Sequence, residues 1–86
     1  MVSLPVNLRN FADKEGRVVR LPVKWAKKLE LAEWLLLLLE PNTRYSELEL
    51  NAIFETYVDD FALMRRLLVD TGKLNRELDC SAYWRN

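Results

Sequence analysis

A chain of 86 residues, half of them apolar, has material for one hydrophobic core and no more. It holds one cysteine and no histidine, which excludes an intramolecular disulfide, a zinc site of the usual Cys and His kind, and histidine acid–base chemistry. The formal charge is zero but unevenly spread: residues 1–28 carry seven basic against two acidic side chains, residues 29–60 one against eight, and residues 61–86 five against three.

In residues 1–21, Leu8 and Phe11 precede a turn signal, Asp13-Lys14-Glu15-Gly16, and then the β-branched run Arg17-Val18-Val19-Arg20-Leu21. This reads as a short N-terminal strand or hairpin. Arg9 and Asp13 break any apolar run a signal peptide would need, so a reducing cytoplasm is the expected compartment. Pro22 fits the first turn of a helix running from Val23 to about Leu39. Trp25, Leu29, Ala32, Leu36 and Leu39 recur along it at the spacing of a core-facing stripe. A second stripe, Leu31, Trp34, Leu35 and Leu38, leaves its C-terminal half apolar nearly all round. That stripe is covered either by the N-terminal strand or by a second chain, and it is the candidate interface of a homodimer. The uninterrupted apolar run Trp34–Leu39 is six residues, against the roughly 20 that cross a bilayer, so no membrane is expected.

Ser46-Glu47-Leu48-Glu49 has the form of a capping box, which starts a second helix at Ser46. Leu50, Ile53, Phe54 and Tyr57 form its buried stripe. Asp59 or Asp60 caps a third helix, and Gly72 ends it. On that helix Phe61, Leu63, Met64, Leu67 and Leu68 share one arc, while Ala62, Arg65, Arg66, Val69 and Lys73 share the opposite one. Lys73–Glu77 and Ala82–Arg85 then pair as two strands around Leu78-Asp79-Cys80-Ser81, with Tyr83 and Trp84 on opposite faces.

The expected architecture is a single α+β, winged-helix-like domain over residues 1–86. It has an N-terminal strand or hairpin (1–21), three helices (22–72) and a C-terminal β-hairpin acting as a wing (73–86).

The residues Tyr45-Ser46-Glu47, Asn51, Asp60-Phe61-Ala62-Leu63-Met64-Arg65-Arg66-Leu67-Leu68-Val69-Asp70, Gly72, Leu74, Arg76 and Tyr83-Trp84-Arg85 resemble the bacterial domain of unknown function numbered 2087. Gly16-Arg17 and Leu21-Pro22-Val23-Lys24 fit that family's lead-in to its first helix. The resemblance implies a domain found alone or attached to helix-turn-helix segments in transcriptional regulators. Where members usually carry a His-x-Asp step before the third helix, this chain has Val58-Asp59-Asp60.

Arg65 and Arg66 stand where a recognition helix presents side chains, and the planar guanidinium suits phosphate oxygens and the guanine edge. Lys73, Arg76 and Arg85 lie on or beside the wing, where cations reach flanking phosphates. These five are the candidate contacts to double-stranded DNA, with Ala62 and Val69 available to thymine methyl groups. Arginines also solvate an ordinary helix face, or pair with Asp70 or an acid of the second helix. Glu47 and Glu55, on an element that would cross near phosphate, weigh against DNA. The rival expectation is a protein-interaction or dimerisation module of the same shape.

Trp25, Trp34, Tyr83 and Trp84 read as packing residues rather than base-stacking platforms. No enzyme and no cofactor are expected. Cys80 has no basic neighbour in sequence to activate it, no glycine-rich phosphate loop occurs, and Glu40, Glu47, Glu49, Glu55, Asp59 and Asp60 read as a solvated face.

Overall fold

The computed structural model describes residues 4–85, so residues 1–3 of the expected N-terminal element lie outside the described residues. Val6–Phe11 winds as a 3-10 helix rather than extending as a strand. Leu8 and Phe11 are three residues apart; a 3-10 turn places such residues on one face, whereas a strand would send them to opposite faces, so the spacing favours the helix.

The hairpin reading survives as one bridge between Ala12 and Val18. Its turn forms because the Asp13 carboxylate accepts from the N–H groups of Glu15 (3.0 Å) and Arg17 (2.9 Å), while Gly16 takes φ +81°. Val18 goes on to donate to the Tyr57 carbonyl (2.6 Å) and to accept from the Asp59 N–H (3.0 Å). The connection between the second and third helices is short, so it offers this segment one residue to pair with, Val58, and no longer strand develops. Arg17 reinforces the seam by donating to the Glu55 carbonyl (3.0 Å) and pairing with Asp59.

Helix α1 spans Trp25–Leu36. Its last turn tightens, with Leu38 and Leu39 donating to the carbonyls of Leu35 and Leu36, before Pro41 forbids continuation. The first stripe expected on this helix buries Ala32 and Leu39, with Leu36 packed against the same core; the place of Trp25 and the role of the second stripe are corrected by the structure. Leu31 and Leu35 are 1% and 0% exposed and lie in the chain's own core, with Trp34 and Leu38 half-buried against it, whereas Trp25 is 59% exposed. The stripe Leu31, Trp34, Leu35 and Leu38 is therefore not a free face for a second chain. A helix apolar nearly all round does not by itself say which side is core. The N-terminal segment decides it here, since Leu4 and Leu8 join the same cluster and Asn7 donates to Glu30 of α1. Trp34 meets Tyr57 edge to face at 5.1 Å.

Helix α2 (Glu47–Glu55) begins at the expected capping box. The Ser46 hydroxyl accepts from the Glu49 N–H (3.1 Å), and the Glu49 carboxylate accepts from the Ser46 N–H (2.8 Å). That second bond holds the Glu49 carboxyl below the usual glutamate range. Ser46→Ala is expected to cost about 1 kcal/mol, a fall of about 4–8 °C in the thermal midpoint of a domain this size.

Helix α3 (Phe61–Asp70) starts with Asp60, which accepts from the Leu63 N–H (3.3 Å). It ends in a Schellman turn: Gly72 takes φ +75°, its N–H reaches Val69, and the Lys73 N–H reaches Leu68 (2.9 Å). Strands β1 (Leu74–Arg76) and β2 (Tyr83–Arg85) pair antiparallel with Arg76 opposite Tyr83. Tyr45 adds a one-residue third rung, exchanging two 2.8 Å bonds with Tyr83.

Helices α1 and α2 both pack on α3, and β1 follows directly from it. The arrangement is α+β and winged-helix-like, with a core in which Leu31, Leu35, Phe54, Met64 and Leu68 meet Leu74 and Tyr83 of the hairpin.

Candidate functional site

The outward arc of α3 faces the hairpin across a groove of about 590 Å³, lined by Ala62, Arg65, Arg66, Val69 and Asp70 of α3, Arg76, Cys80 and Tyr83 of the hairpin region, and Glu47 of α2. Arg65 and Arg66 reach it because they share a helical face with Ala62 and Val69. Arg76 reaches it because β1 leaves the Schellman turn beside α3.

The three arginines are held differently. Arg65 is drawn inward, its side chain 20% exposed. It donates to the Asn51 side-chain oxygen, lies 3.5 Å from the Glu47 carboxylate, and stands 6.0 Å from the centre of the Tyr83 ring. The Tyr83 hydroxyl donates to the same Glu47 carboxylate (3.0 Å). Glu47, which weighed against DNA in the sequence, thus serves as an internal anchor tying α2 to α3 and β2. Arg66 is 80% exposed, with only a 3.7 Å approach to Asp70 one turn on. Arg76 is exposed and donates to the Cys80 sulfur (3.3 Å).

Burial, then the hydrogen bonds to Glu47 and to Cys80, push the Tyr83 hydroxyl from 10 up to about 12. The folded state holds this proton more tightly than the unfolded chain. Its contribution to stability is therefore complete below pH 10 and is lost as pH rises through about 12. Thermal melts across that alkaline range should show the decline in the native protein and a flatter limb in Tyr83→Phe.

Lys73 and Arg85, expected on the same surface, lie elsewhere. They line a second groove of about 440 Å³ with Glu33, Leu36, Leu37, Thr71 and Gly72. Arg85 donates to the Leu39 carbonyl (2.9 Å), satisfying an acceptor left free at the end of α1. The five candidate cations thus fall into two groups: Arg65, Arg66 and Arg76 around one groove, Lys73 and Arg85 at the other.

Sequence reasoning passed over Asn51 and Arg44 as functional candidates. Asn51 stands one helical turn after Glu47, which places both beside Arg65, but nothing local announces the pairing. Arg44 stacks 4.1 Å from the Trp84 ring centre and pairs with Glu77 (2.6 Å), so the outer face of the hairpin is also clamped by a cation.

Among the described residues no group of three or more His, Cys, Asp or Glu side chains is placed to hold a metal ion. No helix there is long and apolar enough to cross a membrane.

Three helices followed by a hairpin, with three arginines and two acidic side chains meeting between the last helix and that hairpin, define a winged-helix-like domain with a groove of mixed charge. Residues 17–85 match the model of the family described as an uncharacterized protein conserved in bacteria, the domain of unknown function 2087, and the chain belongs to that family. Comparison with curated proteins and with solved structures returned no match.

Proposed function

We propose that this domain is a non-enzymatic transcriptional regulator of the bacterial cytoplasm that binds duplex DNA along α3 and the hairpin. The observation that carries the reading is the convergence of Arg65, Arg66 and Arg76, from two separate elements, on one groove beside the outward Ala62 and Val69. Arg66 and Arg76 are the phosphate contacts, since both are exposed. Arg65 is a positioning residue that holds α2, α3 and β2 in register. Lys73 and Arg85 play no part in this contact.

Zero net charge, and the presence of Glu47 and Asp70 in the same groove, restrict the electrostatic contribution to a few phosphates. Affinity for random duplex is therefore modest, with a shallow salt slope of about 2 to 3.

Fluorescence anisotropy of labelled duplex at two salt concentrations tests the reading. The native domain is expected to bind in the micromolar range at about 50 mM salt, with the double variant Arg66→Ala, Arg76→Ala lowering the salt slope by about 2. Lys73→Ala should leave the slope unchanged. Folded protein that shows no binding at low salt would remove the DNA reading.

The second reading, a protein-interaction module, is favoured by the mixed charge of the groove, which suits a polar protein surface better than a phosphate backbone. Its signature would be the absence of DNA binding together with a protein partner whose capture is lost in Arg66→Ala, Arg76→Ala.

A further inference from the structure

We propose that the second groove, between the end of α1 and the start of the hairpin, is a binding site for an aliphatic α-amino acid. It is distinct from the α3 groove and does not rest on the DNA reading.

Three walls build it. Glu33, Leu36 and Leu37 stand at i, i+3 and i+4 and so share the face of the last turn of α1. Thr71, Gly72 and Lys73 come from the Schellman turn after α3, and Arg85 from β2. The groove, of about 440 Å³, is open to solvent and has room for a small ligand.

The hydroxyl and N–H donors of the turn in this lining are already committed. The Thr71 hydroxyl donates to Leu67 (2.8 Å), the Gly72 N–H to Val69, and the Lys73 N–H to Leu68. What remains for recognition is the Glu33 carboxylate, the Lys73 ammonium and the outer N–H groups of Arg85. None of the three is in an ion pair of the described residues, and the groove brings them together around one apolar patch. The bond from Arg85 to the Leu39 carbonyl spends one N–H and orients the guanidinium, leaving the rest of its donor edge open.

Two cations and one acid that do not neutralise one another complement a zwitterion. The ligand carboxylate meets Lys73 and Arg85, its ammonium meets Glu33, and its side chain covers Leu36 and Leu37, of which Leu37 is 67% exposed. A plain carboxylic acid leaves Glu33 unmatched, and a plain amine leaves both cations unmatched. Each single-charge ligand also brings a charge toward one of its own sign.

The test is amide chemical-shift titration of the isotope-labelled domain with L-leucine, isocaproate and isoamylamine, which share an aliphatic body and differ in charged groups. Leucine should give saturable shifts at Glu33, Leu36, Leu37, Thr71 to Lys73 and Arg85, with half-saturation about tenfold lower than for either analogue. Lys73→Ala and Glu33→Gln should each weaken leucine about fivefold or more, and Glu33→Gln should leave isocaproate unweakened. Both positions lie at the surface, so the variants are expected to fold. The proposal is overturned by a folded spectrum with no saturable shift at tens of millimolar leucine, by equal affinity for the three ligands, or by leucine binding that neither variant changes.

Discussion

Leu35→Asp is expected to unfold the domain. Leu35 has no exposed surface and sits in a cluster with Leu31, Leu50, Phe54, Met64 and Leu68, where no side chain could pair with a carboxylate. Burying an unpartnered polar group costs about 2–7 kcal/mol, and the ionised form costs more. The lost leucine packing adds about 2–5 kcal/mol. A chain of this length holds only about 0.05–0.15 kcal/mol per residue of net stability, so the combined loss consumes it. Far-ultraviolet circular dichroism should show no cooperative melt. Leu37→Asp, at an exposed position on the same helix, should stay within about 0.5 kcal/mol of the native protein. A folded, monomeric Leu35→Asp would mean that this stripe covers a second chain instead of the domain's own core.

The second large effect separates two adjacent arginines. Arg65→Ala removes a donor from Asn51 and a cation from Glu47, at the point where α2, α3 and β2 meet. Part of this network is open to water, so the expected cost is about 1–3 kcal/mol rather than that of a buried ion pair. With about 4–8 °C per kcal/mol in a domain of this size, the thermal midpoint should drop by several degrees at least. Arg66→Ala deletes only an exposed i, i+4 contact with Asp70, worth about 0.3–0.5 kcal/mol, and should move the midpoint little. Reduced DNA binding in Arg65→Ala must therefore be judged beside its stability, whereas a loss in Arg66→Ala reports on contact directly. Equal melting losses in the two variants would contradict the inward anchoring of Arg65.

The parts of the fold legible in the sequence are those fixed within a few residues. Ser46 and Glu49 satisfy each other across one turn, Asp60 caps the helix that follows it, and Gly72 supplies the positive φ of a Schellman end; each is local chemistry that tertiary packing did not overrule. The hairpin was legible for the same reason, though Cys80, at φ +63°, takes the left-handed turn position where no Asn-Gly or Asp-Gly announced it.

What was not legible depends on long-range partners. The buried side of α1 is set by Leu4 and Leu8, more than twenty residues upstream, and a helix apolar on both faces carries no record of that choice. The 3-10 helix at Val6–Phe11 is the exception, a local signal misread as a strand: Leu8 and Phe11, at i and i+3, share a face there but would point to opposite faces of a strand. At the site, the outward arc of α3 was readable from its 100° periodicity, but the division of five cations between two grooves was not. It follows from the Schellman turn and from the register that sets Leu74 opposite Arg85.

The central claim is that the α3–hairpin groove is the nucleic-acid face. Its most direct test is an amide chemical-shift map of the isotope-labelled domain with a short duplex at low salt. Shifts are expected to concentrate at Ala62, Arg65, Arg66, Val69 and Arg76, with Glu33, Leu37 and Lys73 unmoved. Shifts centred on Lys73 and Arg85, or a folded spectrum unchanged at saturating duplex, would contradict it.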